Sequence, residues 1–348
     1  MTKRIKVLVV DDSAFYRTLF SGMLSAQQDI EVIGSASDPF EAREKIKQLN
    51  PDVLTLDIEM PRMDGISFLE KIMTLRPMPV IMLSSLTQKG AEITLQALSI
   101  GAVDCLLKPS DHLDEAELER FSRLLCERVR MAALARISHP SSLRKPNELS
   151  PLPTRENASI QLIAFGSSTG GVEALNKILP SFPSNMPPIV MAQHMPAGFT
   201  ESFARRLHGL CSVKVREAED GVLLRPGIAC LAPGGRHLRV ERNHKGELVC
   251  RVEAGPTVSG HCPSVDVLFE SVATALGAKA LGVILTGMGS DGAEGMLKLR
   301  QAGAYTLGQN EASCTVWGMP RAASKLGALC AELEINQIAA EIHRLCSQ

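Results

Sequence analysis

The feature that most constrains this chain is one alternation, run twice. Short apolar runs trade places with stretches of helical spacing, first up to CLLKP at 105–109 and again from 158 onward. In the first half, IKVLVV (5–10), Val32–Ile33, VLTLD (53–57), PVIMLSS (79–85) and CLLKP are the strand segments. Helical spacing fills 14–26, 38–49, 65–76 and 88–100 between them. Asp38 reads as an N-cap with Pro39 at the first helical position, and Asn50-Pro51 ends that helix. Strands that are apolar nearly throughout lie in a parallel sheet covered on both faces, because a sheet with one wet face would alternate.

A charged amphipathic helix over 113–136 precedes SHPSSLRKPNELSPLPTREN, at 138–157, which is rich in Pro, Ser and Asn and has no periodicity. It reads as a linker. The second alternation begins with SIQLIAFGSS, then a helix over 171–179, PPIVMAQHM, a helix over 198–210, and VKVREA. Residues 219–262 hold Gly/Pro turns between short strand-like runs and predict hairpins inserted in an α/β domain. A helix over 264–276 then leads into the buried run ALGVILTGMGSDG. The fold class is therefore α/β, two doubly wound parallel-sheet domains joined by a linker, with 1–125 as the first domain, 126–157 as connecting helix and linker, and 158–348 as the second.

Composition removes several function classes. Hydrophobic residues at 45% and charged residues at 22% are globular values. A net charge of -1, with no helix-turn-helix or basic patch, excludes a nucleic-acid partner. The nine cysteines include no C-x-x-C pair and suit free thiols in a reducing compartment. The apolar run after the basic start is cut by Asp11 and Asp12, short of the ~7–15 residues of a signal-peptide core. No stretch approaches the ~20 apolar residues of a membrane span, so the expected location is cytoplasmic, without membrane insertion.

In an open α/β sheet the functional edge lies beyond the carboxyl ends of the strands. Asp11 and Asp12 follow the first strand, Asp57 ends the third, Ser84 the fourth and Lys108 the fifth. Folding gathers three carboxylates, a hydroxyl and an ammonium. Carboxylates packed together call for a hard cation, and all-oxygen ligation suits Mg²⁺. A carboxylate among them can attack a phosphoryl donor and form an acyl phosphate, with Mg²⁺ and the lysine stabilising the transferred charge. Each aspartate alone would read as a strand-end cap; five such residues at successive strand ends do not. On VLVVDDS, LTLDIEMPRMDG, PVIMLSS and LLKP, residues 4–125 resemble the bacterial response-regulator receiver family. The resemblance implies a flavodoxin-like fold, Asp57 as phosphoacceptor, Asp11, Asp12 and Asp57 around the metal, and Ser84 and Lys108 on the phosphate. Cys105 stands where that family often carries a switch aromatic, three residues before the lysine.

In the second half, Gly166-Ser167-Ser168-Thr169-Gly170-Gly171 follows a strand and opens a helix. It fits G-x-S-x-G, the strained turn that presents a nucleophilic serine, here Ser168, with the helix dipole positive where an oxyanion would form. Taken alone, the loop serves a phosphate-binding module equally well, although Ser168 occupies the second glycine position of G-x-G-x-x-G. His194 ends the next strand, and Asp291 follows the strand ALGVIL. Each alone reads as structural. Together the three supply nucleophile, base and orienter at one sheet edge, in a chain order unlike other triads, which geometry and not order defines. Of the other histidines, His208, His237, His244 and His343 fall in helices or hairpins, and His261 is the most plausible auxiliary polar group.

At GSSTGGVEAL, QHMPAGFTESFARRL, APGGRHL, CPSVDVLFESVA, GVILTGMGSDGAEGM and QNEASCTVWGMPRAA, in that order over 160–325, the second half resembles the catalytic domain of the chemotaxis protein-glutamate methylesterases. The resemblance implies a Rossmann-like fold, Ser168, His194 and Asp291 as the triad, and the backbone N–H of Met288, with that of Thr169, as oxyanion donors. It implies hydrolysis of glutamyl methyl esters and deamidation of glutamines on methyl-accepting chemoreceptors, no cofactor for the esterase, and a chemotaxis histidine kinase as phosphodonor. Arg205 and Arg206, one turn beyond the His194 loop, are candidates to face an acidic receptor helix. The linker allows the first domain to restrain the second until Asp57 is phosphorylated. The competing reading is a receiver fused to a non-catalytic nucleotide- or phosphate-binding module.

Overall fold

A computed structural model describes residues 3–84, 88–109, 114–137 and 159–347. The linker expected at 138–157 lies outside the described residues. The chain divides into two units, Met1–Arg144 and Lys145–Gln348.

The first unit runs β1 (Ile5–Val10), α1 (Ala14–Ser25), β2 (Ile30–Ala36), α2 (Pro39–Leu49), β3 (Val53–Asp57), α3 (Gly65–Leu75), β4 (Val80–Ser84), α4 (Gln88–Ile100), β5 (Asp104–Leu107) and α5 (Glu115–Leu134). Its five strands lie in the order β2-β1-β3-β4-β5, all parallel. β3 and β4 are buried at every residue, which is why they read as unbroken apolar runs. The Asp38 side chain caps α2 by accepting from the Phe40 and Glu41 amides at 2.8 and 3.1 Å, with Pro39 at the first turn. α5 starts on a capping box between Asp114 and Glu117. It packs Leu125, Cys126, Val129 and Ala132 into the same core as Val7, Val9 and Phe20, so the helix from Phe121 onward belongs to this unit's fold.

The second unit runs β6 (Leu162–Ser167), α6 (Gly171–Ile178), β7 (Ile189–Gln193), α7 (Phe199–Leu210), β8 (Lys214–Glu217), β9 (Ile228–Leu231), β10 (His237–Arg242), β11 (Leu248–Glu253), α8 (Val265–Leu276), β12 (Ala280–Ile284), α9 (Ala293–Gln301), β13 (Tyr305–Gln309), α10 (Met319–Lys325), β14 (Ala331–Leu333) and α11 (Ile335–Cys346). Seven strands form a parallel sheet in the order β14-β13-β12-β6-β7-β9-β8. Both sheets are the doubly wound α/β type expected. The stretch expected to hold hairpins divides in two. β9 joins the main sheet between β7 and β8, and only β10 and β11 pair as an antiparallel hairpin. β9 buries its last three residues between its neighbours, a position an edge hairpin does not offer. The β10–β11 turn is closed by Asn243, whose Oδ1 accepts from the Lys245 and Glu247 amides at 2.9 and 3.0 Å.

β6 sits at the switch point of the second sheet: the chain leaves it toward β7 on one side and returns as β12 on the other. The crevice beyond such a point is where α/β sheets place ligands. In the first sheet the same position falls between β1 and β3.

Candidate active site and phosphoacceptor pocket

The first crevice gathers Asp11, Asp57 and Lys108. Asp11 is fully buried just past β1, Asp57 is 2% exposed at the end of β3, and Asp12 is exposed. Lys108 Nζ lies 2.7 Å from Asp11 Oδ2 and 2.8 Å from Asp57 Oδ1. Buried Ser84 ends β4, and its carbonyl accepts the Lys108 amide at 2.8 Å. Burial pushes the Asp57 carboxyl up to about 6 against the pull of Lys108, and raises Asp11 for the same reason. Burial also works against the Lys108 charge, yet the two carboxylates hold its pKa above the ordinary lysine value. Asp11, Asp12 and Asp57 each offer a carboxylate oxygen within 4.8 Å of the others. One lysine cannot neutralise three carboxylates, and this all-oxygen set with excess negative charge fits Mg²⁺.

Two neighbours shape that pocket. Gly65 approaches so closely that a Cβ there would lie 2.1 Å from the Asp57 carbonyl oxygen. The Tyr16 ring lies over Lys108 Nζ, 4.7 Å from the ring centroid, and its hydroxyl donates to the Pro109 carbonyl at 3.0 Å. Cys105, at the position of the missing aromatic, turns its thiol toward Thr94 Oγ1 at 3.5 Å, and burial pushes that thiol up to about 12.

In the second crevice Ser168 follows β6, His194 follows β7, and Asp291 sits in the loop between β12 and α9. Ser168 is 4% exposed, and the imidazole and carboxylate are nearly inaccessible. His194 Nε2 lies 2.7 Å from Asp291 Oδ2. The aspartate accepts three more hydrogen bonds: from Ser264 Oγ at 2.7 Å, the Val265 amide at 2.8 Å and the Asp266 amide at 3.1 Å. The last two donors are the first turn of α8, whose dipole favours an anion. Burial works against the Asp291 charge, but the His194 and Ser264 contacts and the helix amides outweigh it and hold the carboxyl below the ordinary range. The neighbouring Asp266 carboxyl is pushed up by burial and by that charge. With Asp291 accepting at Nε2, the imidazole keeps its proton there. His194 Nδ1 is buried without a hydrogen-bond partner among the described residues, a lone pair able to accept a proton.

The turn that carries Ser168 differs in one respect from the expected strained nucleophile. Ser168 does not take a left-handed φ, and the left-handed residue is Gly170, at φ 79°. The strain falls on the residue that tolerates it. A Cβ on Gly171 would lie 2.1 Å from Gln193 Oε1. Gln193 clamps the two strand ends: it accepts from Ser167 Oγ at 2.6 Å and donates to the Ser168 and His194 carbonyls at 2.9 and 3.1 Å.

The loop bearing Met288 is tied directly to the serine. The Ser168 amide donates to the Thr286 carbonyl at 3.0 Å, and Thr286 Oγ1 donates to the Thr169 carbonyl at 2.9 Å. A Cβ on Gly287 would lie 2.7 Å from the Ser168 Cβ. Met288, the next residue, is therefore held beside the nucleophile. Gln309 steadies the loop by accepting the Thr286 amide at 2.8 Å.

Sequence reasoning missed Gln193, Ser264, Thr286, Gln309 and His237. His237 is 3% exposed, donates from Nε2 to the Pro256 carbonyl at 2.9 Å, and accepts the Ser264 amide at Nδ1 at 3.2 Å. The available signal was polar residues at the ends of otherwise buried runs. Arg205 and Arg206 are exposed on α7, and Arg205 pairs with Glu201 of the same helix at 2.9 Å.

Similarity to known proteins agrees with both crevices. The CheB methylesterase family model matches residues 163–342, and the response regulator receiver domain model matches residues 7–118. A Caulobacter vibrioides protein named protein-glutamate methylesterase/protein-glutamine glutaminase 1 is 55% identical, over 99% of this chain and 98% of its own. An Escherichia coli protein named protein-glutamate methylesterase/protein-glutamine glutaminase is 50% identical, over 97% of this chain and 96% of its own. The solved catalytic domain of the Thermotoga maritima CheB methylesterase superposes with a TM-score of 0.52 at 35% identity, covering 54% of this chain and all of that domain. No described helix is long and apolar enough to cross a membrane. Near-complete coverage at half identity, with a receiver model and a methylesterase model both matching this chain, shows that it belongs to the receiver-linked protein-glutamate methylesterase/protein-glutamine glutaminase family.

Proposed function

We propose that this chain hydrolyses glutamyl methyl esters, and deamidates glutamines, on methyl-accepting chemoreceptors through Ser168, His194 and Asp291, under control of Asp57 phosphorylation. The observation that carries the reading is the buried His194, held at Nε2 by Asp291 at 2.7 Å with Nδ1 left to accept a proton. A phosphate-binding module has no use for an imidazole held in one orientation by a buried carboxylate.

The reaction follows from that arrangement. His194 Nδ1 takes the Ser168 proton as Oγ attacks the γ-carbonyl of the substrate. The amides of Met288 and Thr169 stabilise the oxyanion, and each such donor is worth about 2.7–4 kcal/mol of barrier where one has been removed. His194 returns the proton to the departing methoxide, releasing methanol. Water, activated by the same imidazole, then frees the glutamate. With an amide substrate ammonia leaves instead, which gives deamidation.

Asp57 is the phosphoacceptor, with Ser84 and Lys108 on the phosphoryl oxygens. Asp11, Asp12 and Asp57 would hold Mg²⁺, which would supply positive charge against the phosphoryl group. Lys108 already spans Asp11 and Asp57, so its ammonium stands where the phosphoryl group is to be received. A chemotaxis histidine kinase is the phosphodonor, and the enzyme works in the cytoplasm, where the receptors' methylated helices lie.

The test is methanol release from methyl-labelled receptors, with and without a small-molecule phosphodonor. Ser168→Ala should abolish release while keeping the wild-type melting curve. Release above a tenth of wild type from that folded variant would return the choice to the phosphate-binding reading.

A further inference from the structure

The proposed mechanism leaves one contact of its base unused. The His261 ring lies face-to-face on the His194 ring, with centroids 3.7 Å apart and planes 5° from parallel. Together with Asp291 the two histidines offer ligand atoms within 4.8 Å of one another. They do not make a metal site. Imidazole lone pairs lie in the ring plane, and a metal binds about 2.0–2.1 Å from each nitrogen along them. Two stacked, parallel rings aim those lone pairs in separate planes, so no ion meets both.

The stack is built from the His261 side. Val258 and His261 exchange backbone hydrogen bonds at 3.0 and 2.9 Å, closing a tight turn. At its tip Ser259 and Gly260 are both left-handed, at φ 52° and 81°. A serine seldom adopts that conformation. The Ser259 carbonyl accepts His261 Nδ1–H at 2.8 Å, so the ring is oriented by its own turn. Ser264, Val265 and Asp266 come next in the chain, and all three donate to Asp291. One segment, 258–266, therefore holds both the face of His194 and the carboxylate on its edge.

Two neutral aromatic rings gain little from lying squarely face-to-face, because their π-faces repel. That changes once one ring is cationic, since a cation over a π-face is attracted. In the proposed mechanism His194 takes the Ser168 proton and carries the added charge until methanol leaves. Contact with a neutral His261 is therefore stronger in the charged state, and a contact of that kind speeds the reaction without tightening substrate binding.

We infer that His261 is a positioning residue for the esterase reaction, fixing the plane of His194 and stabilising its imidazolium by face-on stacking. The inference rests on the triad reading. Its test is steady-state methanol release by full-length His261→Ala, His261→Leu and His261→Phe on methyl-labelled receptors. Ala and Leu should lower kcat roughly ten-fold with KM within about two-fold, and Phe, which keeps a π-face without a titratable nitrogen, should recover to within about three-fold of wild type. Unchanged kcat in the Leu variant overturns the inference, as does Leu recovering as well as Phe, which would reduce the stack to bulk. An effect on KM alone overturns it too, placing His261 on the substrate. Should the Ala variant unfold, the Leu and Phe pair carries the comparison, with melting curves alongside. Ser168→Ala, run in parallel, separates the failures. An active Ser168→Ala sinks the triad reading, whereas an inactive one beside a fully active His261→Leu sinks only the stacking role.

Discussion

Asp291 grips His194 by Nε2, at 2.7 Å, and so assigns proton transfer to Nδ1. The pairing sets the tautomer, because a carboxylate can only accept. What is left without a hydrogen-bond partner among the described residues is then the bare nitrogen.

Asp291→Asn disturbs that assignment while keeping the side-chain shape. The amide nitrogen cannot accept, so two of the four donors lose their acceptor, either His194 with the Val265 amide or Ser264 Oγ with the Asp266 amide. kcat is expected to fall by about a hundred- to ten-thousand-fold. Single-turnover acylation checks it, and wild-type acylation would mean that another group orients His194.

Gly171→Ala tests the clamp at the strand ends. The added methyl would sit 2.1 Å from Gln193 Oε1, forcing the amide away from Ser167 and from the Ser168 and His194 carbonyls. Overpacking at a buried site costs roughly 1–3 kcal/mol. A lower urea midpoint together with a lower kcat is expected, and an unperturbed kcat would show that Gln193 does not set the catalytic geometry.

Asp57→Asn should abolish phosphorylation by a small-molecule donor, yet stabilise the Mg²⁺-free protein. The buried carboxyl titrates at about 6 in the folded chain, against 3.8 for the ordinary group. Between those values the folded chain keeps a proton that the unfolded chain has lost, so stability falls as pH rises through the window and stays lower above it. The substitution removes that loss, a gain on the order of 1–3 kcal/mol at neutral pH. Receiver melting from pH 4 to 8 reads it. Asp11, raised in the same direction, leaves part of the slope in place.

Tyr16→Leu removes the ring over Lys108 and the hydroxyl on Pro109, whereas Tyr16→Phe removes only the hydroxyl. A cation over an aromatic face is worth about 0.5–2 kcal/mol. Acyl-phosphate formation should slow several-fold in the Leu variant and less in the Phe variant. Equal rates in all three proteins would deny the tyrosine any part in holding Lys108.

Cleavage of the chain within 138–157 tests control by the first domain. Residues 158–348 alone should release methanol faster than the unphosphorylated whole. A fragment no faster than the whole would replace restraint with recruitment or direct activation.

The sequence was most legible where function and local structure coincide. Asp11, Asp57, Lys108, Ser168 and His194 each stand at or beside a strand end, and a run of apolar residues ending in a polar one announces such a place. Asp38 was legible as a cap because its partners are its own near neighbours. What stayed hidden is what joins distant segments. Ser264 meets Asp291 across 27 positions and Thr286 meets Thr169 across 117, and no local pattern encodes either contact. β9 was misread as part of a hairpin because four residues between turns look alike in both settings. The Tyr16–Lys108 and His194–His261 contacts depend on how helices and turns pack over the sheet, which periodicity does not resolve.

The four donors on Asp291 carry a consequence for how the enzyme is switched. Every one of them comes from the second unit. A carboxylate so fully engaged has no slack orientation to relax into. The setting of His194 by Asp291 is complete within its own domain. In the proposed scheme, phosphorylation some hundred residues upstream then acts on access to the serine and not on the setting of Asp291, much as a shutter governs a lens that is already in focus.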